Sequence, residues 1–275
     1  MRRGLRLFEF GFPGRAAFDS AFSRALLEAV ATGAAPETFR LYQPDDVLAF
    51  SGVDAASAGF AAAAAAARLA GFEPALRLAG GRAAVFHRET LAFAWTIPAP
   101  ESRDGIHARF AEIAAIVAAA LRRLGVDARI GEVPGEYCPG EYSVNARGAR
   151  KLMGVGQRVI RGAAHVGGVI VVRDSDRVRD VLEPVYGAMG VAWNPATTGS
   201  VEDELGAATR DDVSAALLAE LRSRFEIAAG DAAPVDAELA AAAPLEARFA
   251  IGESGSARMA TRKSNPLTKI VIEPA

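Results

Sequence analysis

Residues 166–172 read Val-Gly-Gly-Val-Ile-Val-Val, with no charge and no alternation of polar and apolar side chains. A strand of this composition has to be covered on both faces, so the rest of the chain must build a sheet around it and lay helices over it. The chain has 275 residues, 51% of them apolar and 23% charged, enough for one large core or two modest ones and too apolar for disorder as its main state.

The elements for such a fold can be read along the chain. Phe22, Leu26, Leu27 and Val30 recur at helical spacing behind Asp19 and Ser20, with Gly33 and Pro36 beyond, which predicts a helix over 19–32 capped by that pair. A second helix is expected over 55–69, closed by Gly71. A third is expected over 107–124, with Phe110, Ile113, Ile116, Val117, Leu121 and Leu124 on one face and Gly125 at its end. Helical periodicity returns over 177–189, 201–205 and 211–225. Strands are expected over 38–42 and 47–50, then over 75–78 and 83–87 joined by a tight Gly80-Gly81 turn, with 91–97 extending the same sheet. Shorter runs, 151–153 and 157–160, precede the buried strand.

Residues 230–234 read as a linker, and the tail beyond holds an alanine-rich helical stretch, a turn near 252–256 and a strand-like 267–273. No period of roughly 20–50 residues recurs. The expected architecture is α+β, a central mixed sheet flanked by helices over 1–228 with a short appendage over 229–275.

Charge and composition exclude several functions. Lys and Arg total 31 against 33 Asp and Glu, a net charge of −2, without the basic surplus of a nucleic-acid surface. One cysteine and three histidines allow no internal disulfide and no metal-ligand spacing, so no metal is expected. Residues 1–12 lack the apolar stretch of a secretion signal, and Ala61–Ala67 is far shorter than the roughly 20 residues of a membrane span. A cytoplasmic protein is expected.

Three segments can carry chemistry. Arg77-Leu-Ala-Gly80-Gly81-Arg82 sets two glycines between arginines, which lets backbone N–H groups and guanidinium donors approach a carbonyl, carboxylate or phosphate. An ordinary hairpin has the same spacing. Cys138 lies in the glycine-flanked loop Tyr137-Cys-Pro-Gly-Glu-Tyr-Ser143, where a thiolate nucleophile would be exposed; a small buried hydrophobe is the competing role. Lys151 is the third. It is one of only three lysines in a chain that otherwise uses arginine, and it precedes Gly154 and Gly156, so its ammonium is suited to a carbonyl or carboxylate oxygen. Gly154 and Gly156 do not complete a dinucleotide fingerprint. His87 and His165 are possible proton carriers and equally possible hydrogen-bonded core residues.

Taken in this order, the segments resemble the lipoate-protein ligase and octanoyltransferase superfamily, whose catalytic domain is related to biotin-protein ligases. The family joins an Arg-x-x-Gly-Gly turn to a Gly-x-Lys-x-x-Gly-x-x-Gln segment about 60 to 70 residues later. Here these read Arg77-Leu-Ala-Gly80-Gly81-Arg82 and Ala149-Arg-Lys151-Leu-Met-Gly154-Val-Gly-Gln157. The resemblance implies a tunnel for an octanoyl-length acyl chain whose carbonyl meets Lys151. Arg77, Gly80, Gly81, Arg82, His87, Gly154, Gln157 and His165 would contact substrate. One transferase branch places its nucleophilic cysteine shortly before the lysine segment, and Cys138 stands 13 residues before Lys151.

The implied activity is transfer of octanoyl or lipoyl groups through a Cys138 thioester to a lysine of a lipoyl carrier domain. Such domains are borne by 2-oxoacid dehydrogenase subunits and the glycine cleavage carrier protein, and acyl carrier protein is a possible donor. No cofactor is then needed. The alternatives are a lipoate ligase using ATP and Mg²⁺ through an acyl-adenylate, and an acyl-binding protein without chemistry.

Overall fold

The computed structural model describes residues 2–100, 105–228 and 233–253. The strand-like stretch at 267–273 and most of the expected linker and of the 252–256 turn lie outside them.

The buried run forms the heart of strand β10. In chain order the strands are β1 (Arg3–Phe8), β2 (Thr38–Tyr42), β3 (Val47–Phe50), β4 (Glu73–Leu76), β5 (Ala84–Phe86), β6 (Thr90–Ala99), β7 (Ala128–Ile130), β8 (Val144–Ala146), β9 (Arg150–Ile160), β10 (Gly162–Val171) and β11 (Phe225–Ile227). Eight of them form one sheet in the order β11-β1-β2-β6-β10-β9-β8-β7. The pairings β11–β1 and β1–β2 are parallel and the others antiparallel, so the sheet is mixed. β10 pairs along its whole length with β6 and over eight residues with β9. Gly168 is required there, because a Cβ at this position would lie 2.3 Å from the Gly154 carbonyl oxygen and 2.5 Å from the Phe93 ring.

The helices are α1 (Ala16–Ala31), α2 (Gly52–Ala55), α3 (Phe60–Leu69), α4 (Ile106–Arg123), α5 (Ser175–Met189), α6 (Val201–Leu205), α7 (Arg210–Arg224) and α8 (Asp236–Ala242). The apolar stripe of α4 and Leu217 and Leu221 of α7 cover one sheet face, packing on Trp95, Val166 and Ile170. On the other side, α1 joins Phe8, Phe18 and Phe22 in an aromatic core. A third core joins α3 and α5 to a separate three-stranded sheet, order β4-β3-β5, through Phe50, Phe60, Val181 and Tyr186. Residues beyond the expected linker pack back on the rest: Glu238 of α8 pairs with buried Arg6 at 2.6 Å, and Leu76 donates its N–H to the Phe249 carbonyl.

Several expectations are corrected. The strands either side of Gly80-Gly81 do not form a hairpin, because β3 lies between them, parallel to β4 and antiparallel to β5. Nor does 91–97 extend their sheet, since β6 belongs to the large one. Asp19 and Ser20 cap nothing: α1 begins at Ala16, and Asp19 sits in its first turn bonded to Arg40. The expected helix over 55–69 is helical only from Phe60 to Leu69, Ala55 being the last residue of α2, a separate short helix with a Ser51–Asp54 capping box. Runs 151–153 and 157–160 are one unbroken strand.

Candidate active site

The loop between β7 and β8 is organised from inside by one carboxylate. Glu136 accepts hydrogen bonds from the Val133 N–H at 3.0 Å, the Gly140 N–H at 3.2 Å, the Ser143 hydroxyl at 2.6 Å and Lys151 Nζ at 2.8 Å. Lys151 is 1% exposed and the Glu136 side chain 0%, so each charge is compensated by the other and by polar contacts within the protein, with the Tyr137 ring 4.8 Å from the ammonium. The ammonium's two remaining protons go to the Tyr137 carbonyl at 2.9 Å and the Cys138 carbonyl at 2.7 Å. Three donors thus meet three acceptors. Lys151 gains its position from β9, where its backbone also accepts the Gly199 N–H at 3.1 Å.

Held this way, Cys138 adopts φ +44°, a left-handed conformation rare outside glycine, and it is followed by Pro139. Such backbone costs on the order of 1–3 kcal/mol and persists only where its surroundings enforce it. Here it presents the sulfur to the loop after β4. The Arg82 backbone N–H donates to Cys138 Sγ at 3.1 Å and Arg77 Nη2 lies 3.7 Å away. Burial pushes the thiol pKa up, but the charges of Arg77 and Lys151, then the bonds from Arg82 and Arg77, outweigh it and hold the thiol below its ordinary value.

The diglycine loop is shaped for this contact. Arg77 Nη2 donates to the Arg82 carbonyl at 2.5 Å, closing the loop on itself, and the Tyr186 hydroxyl donates to the Ala83 carbonyl at 3.0 Å. Gly81 has φ +101°, and a Cβ there would stand 2.6 Å from Arg77 Nη2 and 2.8 Å from Cys138 Sγ. Only glycine lets sulfur and guanidinium converge. Arg82 turns its own side chain to Asp54 at 3.5 Å.

Two cavities meet this loop from different sides. A narrow one of about 80 Å³ is walled by Leu76, Arg77, Leu78, Ala79, Phe86 and His165, among others, with Asp19 and Asp45 also lining it. A wider one of about 340 Å³ is lined by Gly80, Gly81, Cys138, Gln157, His107 and Tyr142, among others. Among the described residues no group of three or more His, Cys, Asp or Glu is placed to hold a metal ion, and no helix is long and apolar enough to cross a membrane.

Arg77, Gly80, Gly81, Arg82, Cys138 and Lys151 are therefore brought together. Lys151 lines neither cavity. Gly154 lies against its side chain, since a Cβ there would meet Lys151 Cε at 3.1 Å. Gln157 fastens β9 to α4, donating to the Ile106 carbonyl at 3.2 Å and accepting from Arg109 Nε at 2.7 Å. His165 walls the narrow cavity, its pKa lowered to about 3 by burial and then by Arg40, with Nδ1 unpartnered. His87 stands apart: it lines neither cavity, its pKa is lowered to about 4 by burial and then by Arg177, and its Nδ1 accepts the Glu89 N–H. Glu136, His107 and Tyr142 are site residues that the sequence did not single out. A carboxylate two residues before the cysteine in a Gly/Pro loop was the available signal for Glu136.

Known proteins are similar to this chain in sequence and in fold. Residues 15–222 match the family model described as the Lipoyl protein ligase A/B catalytic domain. An octanoyl-GcvH:protein N-octanoyltransferase of Geobacillus kaustophilus is 27% identical over 162 residues, 59% of this chain and 57% of that protein. A namesake from an Exiguobacterium species is 29% identical over 148 residues, 50% of this chain and 51% of its own length. The chain thus spans little more than half the length of these curated relatives. In fold it is similar to a lipoate-protein ligase A crystallised with ATP, with a TM-score of 0.69 at 22% identity over 90% of this chain and 94% of the other. It is likewise similar to a bi-partite lipoate protein ligase of Thermoplasma acidophilum, with a TM-score of 0.67 at 19% identity over 95% and 99%. With three quarters of its length matched by the family model, the chain belongs to the lipoyl protein ligase A/B catalytic domain family.

Proposed function

We propose that this chain moves octanoyl or lipoyl groups between carriers by way of a thioester on Cys138. The observation that carries the reading is the partly buried sulfur receiving the Arg82 N–H at 3.1 Å beside Arg77, with its pKa lowered in spite of burial. A merely structural thiol has no use for two aimed donors. The relatives' name supports an octanoyl-loaded glycine cleavage carrier as donor, and acyl carrier protein is a second source of the same thioester. The acceptor is a lysine of a lipoyl carrier domain.

In this route the Cys138 thiolate attacks the donor's thioester carbonyl, a new acyl–sulfur bond forms, the donor's carbon–sulfur bond breaks and its thiolate leaves to take a proton from solvent. The acyl chain runs from Cys138, which lines the wider cavity, past the Arg77–Ala79 stretch toward the narrow one walled by Leu76, Leu78, Ala79 and Phe86. Acylation removes the sulfur's charge, so the Arg82 N–H is released to the acyl oxygen on the adjacent carbon, where negative charge develops in both half-reactions. Lys151 contributes its charge and fixes the cysteine loop. For Lys151 to hold the acyl carbonyl as well, it must exchange the Tyr137 or Cys138 carbonyl for it. One thioester is consumed per amide formed, so no nucleotide enters.

Intact-mass measurement after incubation with octanoyl carrier protein tests the reading. An octanoyl increment that hydroxylamine removes, and that Cys138→Ala abolishes, is expected. Undiminished transfer by Cys138→Ala, with pyrophosphate released from ATP and lipoate, would establish the adenylate-forming ligase instead. Octanoate binding without acylation of a carrier in either assay would leave an acyl-binding protein.

A further inference from the structure

Aminolysis of a thioester needs an acceptor lysine that has lost its proton, and nothing in the site described so far removes one. At neutral pH the lysine ammonium, with an ordinary pKa near 10.4, is almost wholly charged and non-nucleophilic. The wider cavity supplies a base. His107, in the first turn of α4, lines it together with Cys138, and its Nδ1 lies 3.1 Å from the Tyr142 hydroxyl. Tyr142 is itself fixed by stacking on Phe110, with ring centroids 5.4 Å apart and planes 13° from parallel. Gln157 ties the start of α4 to β9 through the Ile106 carbonyl, the residue before His107. The imidazole is exposed, yet held from two elements.

The other candidates are poorly placed. His87 and His165 do not line this cavity. The remaining titratable groups that do are Glu141, an exposed carboxylate, and Tyr142, the phenol that already partners His107. Among the described residues, the ionisable groups that line the cavity with His107 are Cys138, Glu141 and Tyr142, and Arg109 lies on the same helix, bonded to Gln157 of β9.

We propose that His107 is a catalytic residue for the second half-reaction, taking the proton of the acceptor lysine as it attacks the Cys138 thioester. This rests on the thioester reading. The role requires the tautomer in which His107 Nδ1–H donates to the Tyr142 hydroxyl oxygen, which leaves the Nε2 lone pair for the amine. One proton of the ammonium first passes through Nε2 to solvent; the amine nitrogen then bonds to the acyl carbon, its second departing proton moves to Nε2, and the carbon–sulfur bond breaks to return the Cys138 thiolate to the Arg82 N–H. The imidazolium then gives its proton to solvent.

His107→Gln tests this on enzyme preloaded from octanoyl-N-acetylcysteamine, whose small thiol needs no docking. Loading of Cys138 is expected to stay within threefold of the parent. Discharge onto a lipoyl carrier domain at pH 7 is expected to slow by about 10²-fold, the lower end for general-base catalysis. That deficit shrinks as pH rises and the lysine deprotonates unaided. Discharge onto hydroxylamine, already neutral at pH 7, is expected to stay within threefold, and Tyr142→Phe should show a smaller version of the same pattern. Equal slowing with both nucleophiles, or unimpaired discharge onto the carrier domain, would overturn the role of His107. A parent protein that never acquires acyl on Cys138 overturns the thioester reading itself, and is seen separately at the loading step.

Discussion

Lys151 Nζ and Glu136 Oε1 stand 2.8 Å apart with both side chains shut off from solvent, and the same ammonium carries the carbonyls of Tyr137 and Cys138. The pair holds the backbone of Cys138 in place, so the position of the sulfur and the stability of the loop are one property.

Removing one member leaves an uncompensated buried charge, a loss of about 3–5 kcal/mol. Glu136→Ala is expected to lower the denaturation midpoint by that free energy and to abolish acylation of Cys138. Lys151→Arg keeps the charge, but a planar fork cannot direct three bonds to one carboxylate and two carbonyls. It should retain most of the fold while losing at least tenfold in loading rate, measured by intact mass.

Gly81→Ala separates position from stability. The alanine is forced into an unfavourable φ, worth roughly 1–2 kcal/mol, and its methyl meets both Arg77 and the Cys138 sulfur. Calorimetry should record a modest fall in melting temperature, while alkylation of Cys138 by iodoacetamide drops more than tenfold. Equal alkylation rates would show that the sulfur is not held by this loop.

The thiol's acidity sets a pH profile. A cysteine pKa held below its ordinary value means that the thiolate persists to lower pH, so the alkylation rate should reach half its plateau below the pH of a free thiol, near 8.5. Arg77→Met removes the largest stabilising charge and should move that midpoint upward. An unmoved midpoint would assign the effect to other groups.

His87 and His165 make stability pH-dependent. Burial keeps both neutral in the folded protein, with pKa lowered to about 4 and about 3, whereas the unfolded chain binds protons at each below about pH 6.5. The unfolded state binds more protons in this window, so stability falls as pH drops from about 6.5 toward 4. Urea titrations across that range should show the slope, and His87→Gln with His165→Gln should flatten it.

What was legible in the sequence followed from local periodicity. The apolar run became the centre of the large sheet, and the stripe ending at Leu124 became α4 with Gly125 at φ +101° beyond it. Arg77, Gly80, Gly81, Cys138 and Lys151 were legible because their residue types are unusual in their settings. The pairing of strands was not, since β3 slides between β4 and β5 on contacts distant in sequence. Glu136 escaped because one acid in a Gly/Pro loop reads as a solvated charge until Lys151, 15 residues on, is seen to bury it. His107 escaped because its partner Tyr142 lies 35 residues away.

The insertion of β3 between β4 and β5 ties the site to assembly order. The Arg82 N–H meets the sulfur only when the small sheet sits beside the β7–β8 loop, so the acidity of the Cys138 thiol reports whether those two parts of the fold have come together.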